Sequence, residues 1–101
     1  MATTTKALFR GAATTTVGTT LYTVPASTTA VVTDILVANT AGTAGTFTLA
    51  LDGVAIATTV ALGANASTSI SLKQVLATTK TITGGASATT INFHISGVEI
   101  A

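Results

Sequence analysis

Apolar and polar residues alternate with a period of two along much of this chain. No stretch sustains the 3.6-residue period of a helix with caps. The clearest run is Thr46–Leu51, where Phe47, Leu49 and Leu51 alternate with Thr48 and Ala50. After Asp52-Gly53 the pattern resumes, with Val54 and Ile56 against Ala55 and Ala57. Asp-Gly favours a two-residue type I′ turn, because both positions need positive φ. That turn sets Leu51 opposite Val54 and Leu49 opposite Ile56, all on one face. A hairpin is predicted here.

The remaining elements follow in chain order. Residues 1–18 are small and polar apart from Ala7-Leu8-Phe9. They predict an arm with a short strand around Thr4–Phe9, whose Leu8 and Phe9 need somewhere to be buried, for which a neighbouring subunit would serve. Thr20–Val24 is a short strand closed by Pro25, which donates no ladder hydrogen bond. In Ala30–Asn39, strict alternation places Val31, Ile35 and Val37 on one face and Val32, Leu36 and Ala38 on the other. Asp34 falls on the Val32/Leu36 face. Both faces are apolar, so this strand is expected to be covered on both sides. Asn39–Gly45 is a loop by composition. Val60–Leu62 is a short apolar piece before a turn at Gly63–Ala66. Ser67–Leu72 alternates until Lys73-Gln74 break it. Val75-Leu76 and then Lys80–Thr83 form a weak strand anchored by Ile82, and Gly84–Ser87 is a turn. In Thr90–Ile100, Ile91, Phe93 and Ile95 are in phase, whereas Val98 and Ile100 have the opposite parity. One inserted residue near Ser96-Gly97 would restore the face, and glycine is the usual occupant of such a bulge.

These elements amount to seven or eight short strands with regularly spaced turn signals. They predict an all-β fold, an antiparallel two-sheet sandwich. Spacing alone leaves immunoglobulin-like and jelly-roll topologies open. The predicted organisation is an N-terminal arm over 1–18 and a β-sandwich over 19–101.

Charge changes this picture most. A chain of 101 residues is one domain. Its only charged residues are Lys6, Arg10, Asp34, Asp52, Lys73, Lys80 and Glu99, and the net charge is +1. A soluble monomer usually devotes about a quarter to a third of its surface to charge. Interface cores are depleted of it. The sparse charge fits either a small domain kept soluble by threonine and serine hydroxyls or, as the favoured expectation, a subunit largely covered by neighbours in an assembly. It gives no electrostatic reach toward nucleic acid or an anionic membrane. There is no cysteine, so neither disulfide nor thiolate chemistry arises. No apolar run is long enough to span a bilayer, and the first ten residues do not resemble a secretory leader.

No constellation of catalytic residues emerges. His94 is the only histidine, and no carboxylate or second ligand lies at a motif spacing from it. Asp52 is explained by its turn. Asp34, Asp52 and Glu99 lack the dense oxygen spacing of a calcium loop. Asn65-Ala66-Ser67 matches a glycosylation sequon by chance, and Gly84-Gly85 lacks the lysine and helix of a phosphate loop. No serine sits in a nucleophile elbow. The rings are Phe9, Tyr22, Phe47 and Phe93 only, too few for sugar or single-strand stacking. Asp34, within an apolar strand, requires a donor or a cation. Either threonine hydroxyls or an inter-subunit bridge to Arg10 or Lys73 would serve. The candidate residues are thus those of an interface: Leu8, Phe9, Arg10, Val32, Asp34 and Leu36. No catalytic, cofactor-binding or metal residue is assigned.

The order LYTVPA, AVVTDILVANTAGT, TLALDG, ITGGAS and HISGVEI, spanning Leu21 to Ile100, resembles a recurrent pattern in small virion structural proteins of tailed bacteriophages, of the head-decoration or neck and tail type. The resemblance implies a jelly-roll-like β-sandwich in preference to an immunoglobulin-like one. It implies a non-enzymatic subunit of the virion that coats or joins the particle as a symmetric oligomer, a trimer being favoured. The leading expectation is a capsid decoration protein whose partner is the major capsid protein or another virion protein. A neck, tail or fibre-attachment module, or a receptor- or carbohydrate-binding module, are the alternatives. No catalytic residue and no cofactor is carried over from the resemblance.

Overall fold

The computed structural model describes residues 3–101. It contains eight strands: β1 (Thr3–Ala12), β2 (Thr20–Thr23), β3 (Thr29–Asn39), β4 (Gly45–Leu51), β5 (Val54–Leu62), β6 (Ser67–Leu76), β7 (Thr81–Ala86) and β8 (Ile91–Ile100). All pair antiparallel, β1 with β8, β2 with β7, β3 with β6 and β4 with β5. The chain is therefore one long ribbon. Its outgoing limb is β1–β4, its returning limb is β5–β8, and its tip is Asp52-Gly53. Two further pairings, β3 with β8 and β4 with β7, roll the ribbon up. The result is a four-stranded sheet I in the order β1-β8-β3-β6 and a four-stranded sheet II in the order β2-β7-β4-β5. The expected all-β two-sheet sandwich is the observed fold.

The tip forms as its sequence predicts. Asp52 and Gly53 have φ of 52° and 74°, the left-handed pair that a type I′ turn requires, and Leu51 faces Val54. Beyond that pair the expected register fails. Leu49 pairs with Ala57, not Ile56, because Ile56 is an extra residue on β5. Ala57 points inward, while Val54 and Ile56 are exposed. A second irregularity follows at Thr58-Thr59, where Thr59 takes a φ of 48° and its N–H donates to Thr48 Oγ1 at 3.0 Å. β5 is an edge strand, and bulges of this kind keep an edge from pairing with another chain. β5 also extends through Val60–Leu62 as one strand.

The core lies between the sheets. Ile35, Val37, Ile91, Phe93 and Ile95 of sheet I meet Phe47, Leu49 and Ile82 of sheet II, and all are at most 1 % exposed. Burying each such side chain stabilises the fold by about 1.5–3 kcal/mol. Phe47 and Phe93 cross edge to face, with ring centroids 6.3 Å apart and planes at 73°. Asn39 ends β3 and is buried. Its side-chain amide donates to the Thr43 and Gly63 carbonyls at 2.9 and 3.2 Å, and its Oδ1 accepts from the Ala41 N–H at 3.1 Å. This fixes the loop after β3 and satisfies a buried amide that would otherwise be costly.

Several expected boundaries shift. β6 continues through Lys73-Gln74 to Leu76, since an edge strand accepts exposed polar side chains. Gly84-Gly85 lies inside β7. A Cβ on Gly84 would come within 2.6 Å of Leu49 Cδ2, and one on Gly85 within 2.5 Å of the Thr16 carbonyl oxygen. These glycines admit a neighbouring backbone; they do not turn the chain. The segment expected as an arm runs, over Thr3–Ala12, as the edge strand β1 beside β8, with Leu8 buried in the chain's own core.

Candidate interaction surface

The outer face of sheet I is set by two bulges. In β1 the register with β8 slips between Ala7 and Phe9, so Leu8 is the extra residue. In β3 it slips between Val32 and Asp34, so Thr33 is the extra residue. β8 itself keeps strict parity: Ile91, Phe93, Ile95 and Gly97 are buried, while Asn92, His94, Ser96 and Val98 are half-buried on the other face. The expected bulge within β8 is therefore found in its two partners instead. Gly97 lies between them. A Cβ there would lie 2.3 Å from the Val31 carbonyl oxygen and 2.8 Å from Leu8 Cδ1.

The bulge in β3 also overturns the expectation of two apolar faces. Ala30 and Val32 point inward, Thr33 and Asp34 both point outward, and Ile35 and Val37 point inward again. Val31 and Val32 thus exchange the faces that strict alternation gives them. Leu8 and Val32 are buried in the chain's own core and offer nothing to a neighbour. Phe9 is half-buried against that core. Arg10, Asp34 and Leu36 remain on the surface, all on the outer face of sheet I.

Cross-strand pairing arranges this face in rows. Thr5, Val98, Val31 and Val75 form one row, and Ala7, Ser96, Asp34 and Ser71 the next. Arg10, His94, Leu36 and Ser69 form the third. The first carries exposed apolar surface, with Val75 68 % exposed, and the third carries Leu36 at 40 %. Between them an open depression of about 400 Å³ is lined by residues that include Arg10, Thr33, Ser96, Gly97 and Val98. Thr33 Oγ1 donates to the Ser96 carbonyl at 3.3 Å. Among the described residues neither Arg10 nor Asp34 has an ion-pair partner. The row of valines was not anticipated. Its signal was the parity of Val98, opposite to that of Ile91, Phe93 and Ile95, which places it beside Val31 and Val75 once the bulges are assigned to the neighbours.

One polar cluster closes the edge of the core. The Tyr22 hydroxyl, on β2, donates to the Glu99 carboxylate on β8, joining the two sheets. Lys6, on β1, reaches the same carboxylate at 3.4 Å. The Tyr22 hydrogen bond, and then Lys6, hold the Glu99 carboxyl below its ordinary value against the opposing effect of burial. Burial first, and then Glu99, push the Tyr22 hydroxyl above its ordinary value. Nothing in the sequence spacing brought these three together. Asp52, in the turn, lies 3.7 Å from Lys80 with both side chains about half exposed, a pair worth little in water. Among the described residues no group of three or more histidine, cysteine, aspartate or glutamate side chains is gathered as a metal site would need.

No protein-family model and no curated protein matches this chain.

Proposed function

We propose that this chain is a non-enzymatic structural subunit of a bacteriophage virion, a decoration protein that binds the capsid surface as a symmetric oligomer and stabilises the lattice. The observation that carries the reading is the poverty of charge. Four cationic and three anionic residues are spread over 5122 Å² of accessible surface, roughly one charge per 700 Å², well below the density of a free monomer's surface. Neighbours that cover much of this surface remove the need for charge.

The strand order supports a jelly-roll reading of the fold. Eight strands form a rolled ribbon, with sheets β1-β8-β3-β6 and β2-β7-β4-β5. Only the β4–β5 connection stays within one sheet. An immunoglobulin-type sandwich instead keeps its first two strands adjacent in one sheet, whereas here β1 and β2 lie in different sheets.

The mechanism is area and valency. Each subunit contributes a modest contact, and the oligomer adds such contacts through effective concentration. The partner is the major capsid protein or another virion protein. Tagged protein mixed with expanded capsids is expected to co-sediment at a copy number of hundreds per particle. A dozen copies would move the assignment to the neck or tail. Absence of the chain from purified particles would remove it from the virion altogether.

A further inference from the structure

We infer that the outer face of sheet I is a self-complementary interface and pairs with the same face of a second copy about a two-fold axis. The charges on this face carry the argument. Arg10 stands on β1 in the row of Leu36, and Asp34 stands on β3 in the adjacent row. β8 lies between the two strands. The midpoint between Arg10 and Asp34 therefore falls on β8, between His94 and Ser96. An in-plane two-fold through that midpoint, perpendicular to the line from Arg10 to Asp34, sets each Arg10 over the partner's carboxylate and each Asp34 over the partner's guanidinium. Both charges lack an ion-pair partner within the described residues, and the pairing satisfies both at once. Residue i meeting residue j, and j meeting i, is the signature of a two-fold contact.

The rest of the face suits the same occupant. Its other charges are Lys73, on the edge strand β6, and Lys6, which lines the depression at the β1 edge and is paired with Glu99. Leu36, exposed in the row of Arg10, offers apolar surface close to that axis. Strands of about ten residues at about 3.3 Å each, four abreast at about 4.8 Å, give a face of about 600 Å². A pair then buries at most about 1,200 Å², and less where the strands of the two copies cross, which is the size of a weak or transient contact. A contact of that size goes with a weak, reversible dimer. A two-fold pair gives an even-numbered oligomer in place of the expected trimer. It is independent of any virion, since the purified chain alone suffices to form it.

Charge reversal tests it. Sedimentation velocity from about 1 to 300 µM is expected to show a reversible monomer–dimer equilibrium for the wild type. Arg10→Asp and Asp34→Arg each place like charges across the pair and are expected to weaken it at least 10-fold, about the scale of a like-charge contact. Mixed in equal amounts, the two variants regain the dimer. In the mixed pair the introduced aspartate faces the introduced arginine, and the native Asp34 of one copy faces the native Arg10 of the other. Circular dichroism and thermal melting show whether each variant is folded, as expected for two exposed positions. A wild type that stays monomeric at 300 µM, a trimer, or a mixture no more dimeric than its separate components would each overturn the inference. Failure of capsid binding with the dimer intact would count against the proposed function and leave this interface standing.

Discussion

Gly97 is buried in the middle of β8 with the Val31 carbonyl oxygen 2.3 Å from the position a Cβ would take. A backbone atom cannot yield as the tip of a flexible side chain can. Gly97→Ala is therefore expected to destabilise the fold by about 2–4 kcal/mol, read as a lower urea midpoint with the m-value unchanged. An unchanged midpoint would show that β3 can shift. The Tyr22–Glu99 pair makes a second prediction at this scale. Glu99 has a depressed pKa in the folded chain, so its contribution is present above the unfolded carboxyl's pKa and lost as pH falls through the folded value. Tyr22 has a raised pKa, so its contribution is present below about pH 10 and lost as pH rises beyond it. Tyr22→Phe is expected to cost about 1–2 kcal/mol at neutral pH. It should also flatten the stability profile below about pH 4 and above about pH 10. A variant whose profile parallels the wild type's at both ends would dissociate the pair from the pH dependence.

At the scale of elements, β5 and β1 behave differently from what their residues suggested. β5 reads as a regular partner of β4, yet it carries two register irregularities and a β-branched residue at positive φ, Thr59. Such a conformation costs a β-branched side chain more than it costs asparagine. Thr59→Asn is expected to raise stability by about 0.5–1 kcal/mol, measured as a higher urea midpoint; a lower midpoint would mean that the threonine makes a compensating contact. Residues 1–18 read as an arm with a short strand around Thr4–Phe9; the strand is present, but it pairs along β8 from Thr3 to Ala12 and buries Leu8 in the chain's own core. Removing residues 1–12 strips the ladder from one edge of β8 and uncovers Phe93 and Ile95. The melting temperature is expected to fall by at least about 10 °C, the scale of losing one core side chain and a strand's ladder in a domain of this size. A truncated chain that melts with the wild type would restore β1 to the status of an arm.

The whole molecule is a ribbon folded at Asp52-Gly53 and rolled by the β3–β8 and β4–β7 pairings. Nearly all its pairings are long-range, and β1 meets β8 across almost the full chain. Long-range pairing closes large loops before contacts compensate for them, so folding is expected to be slow, in milliseconds to seconds. Stopped-flow refolding followed by Tyr22 fluorescence measures this, and a microsecond phase that accounts for the whole amplitude would contradict it. The tip hairpin is the one element whose strands are neighbours in sequence, which makes it the natural place for the ribbon to start.

Read by itself, the chain determined what local chemistry can determine. The period of two gave strands, the turn residues separated them, and Asp52-Gly53 required positive φ whatever surrounded it. Seven or eight short strands in an antiparallel two-sheet sandwich follow from that. The tertiary structure decided which face each residue takes, because a bulge is defined only against a partner strand. Val32 and Asp34 have the same parity and lie on opposite sides solely because Thr33 has no counterpart on β8. The same holds for Ile56, displaced by one residue on β5, and for the Gly84-Gly85 pair, whose requirement is the proximity of Leu49 and Thr16. The surface left for a neighbour, Arg10, Asp34 and Leu36 without Leu8 and Val32, became visible only when those registers were fixed.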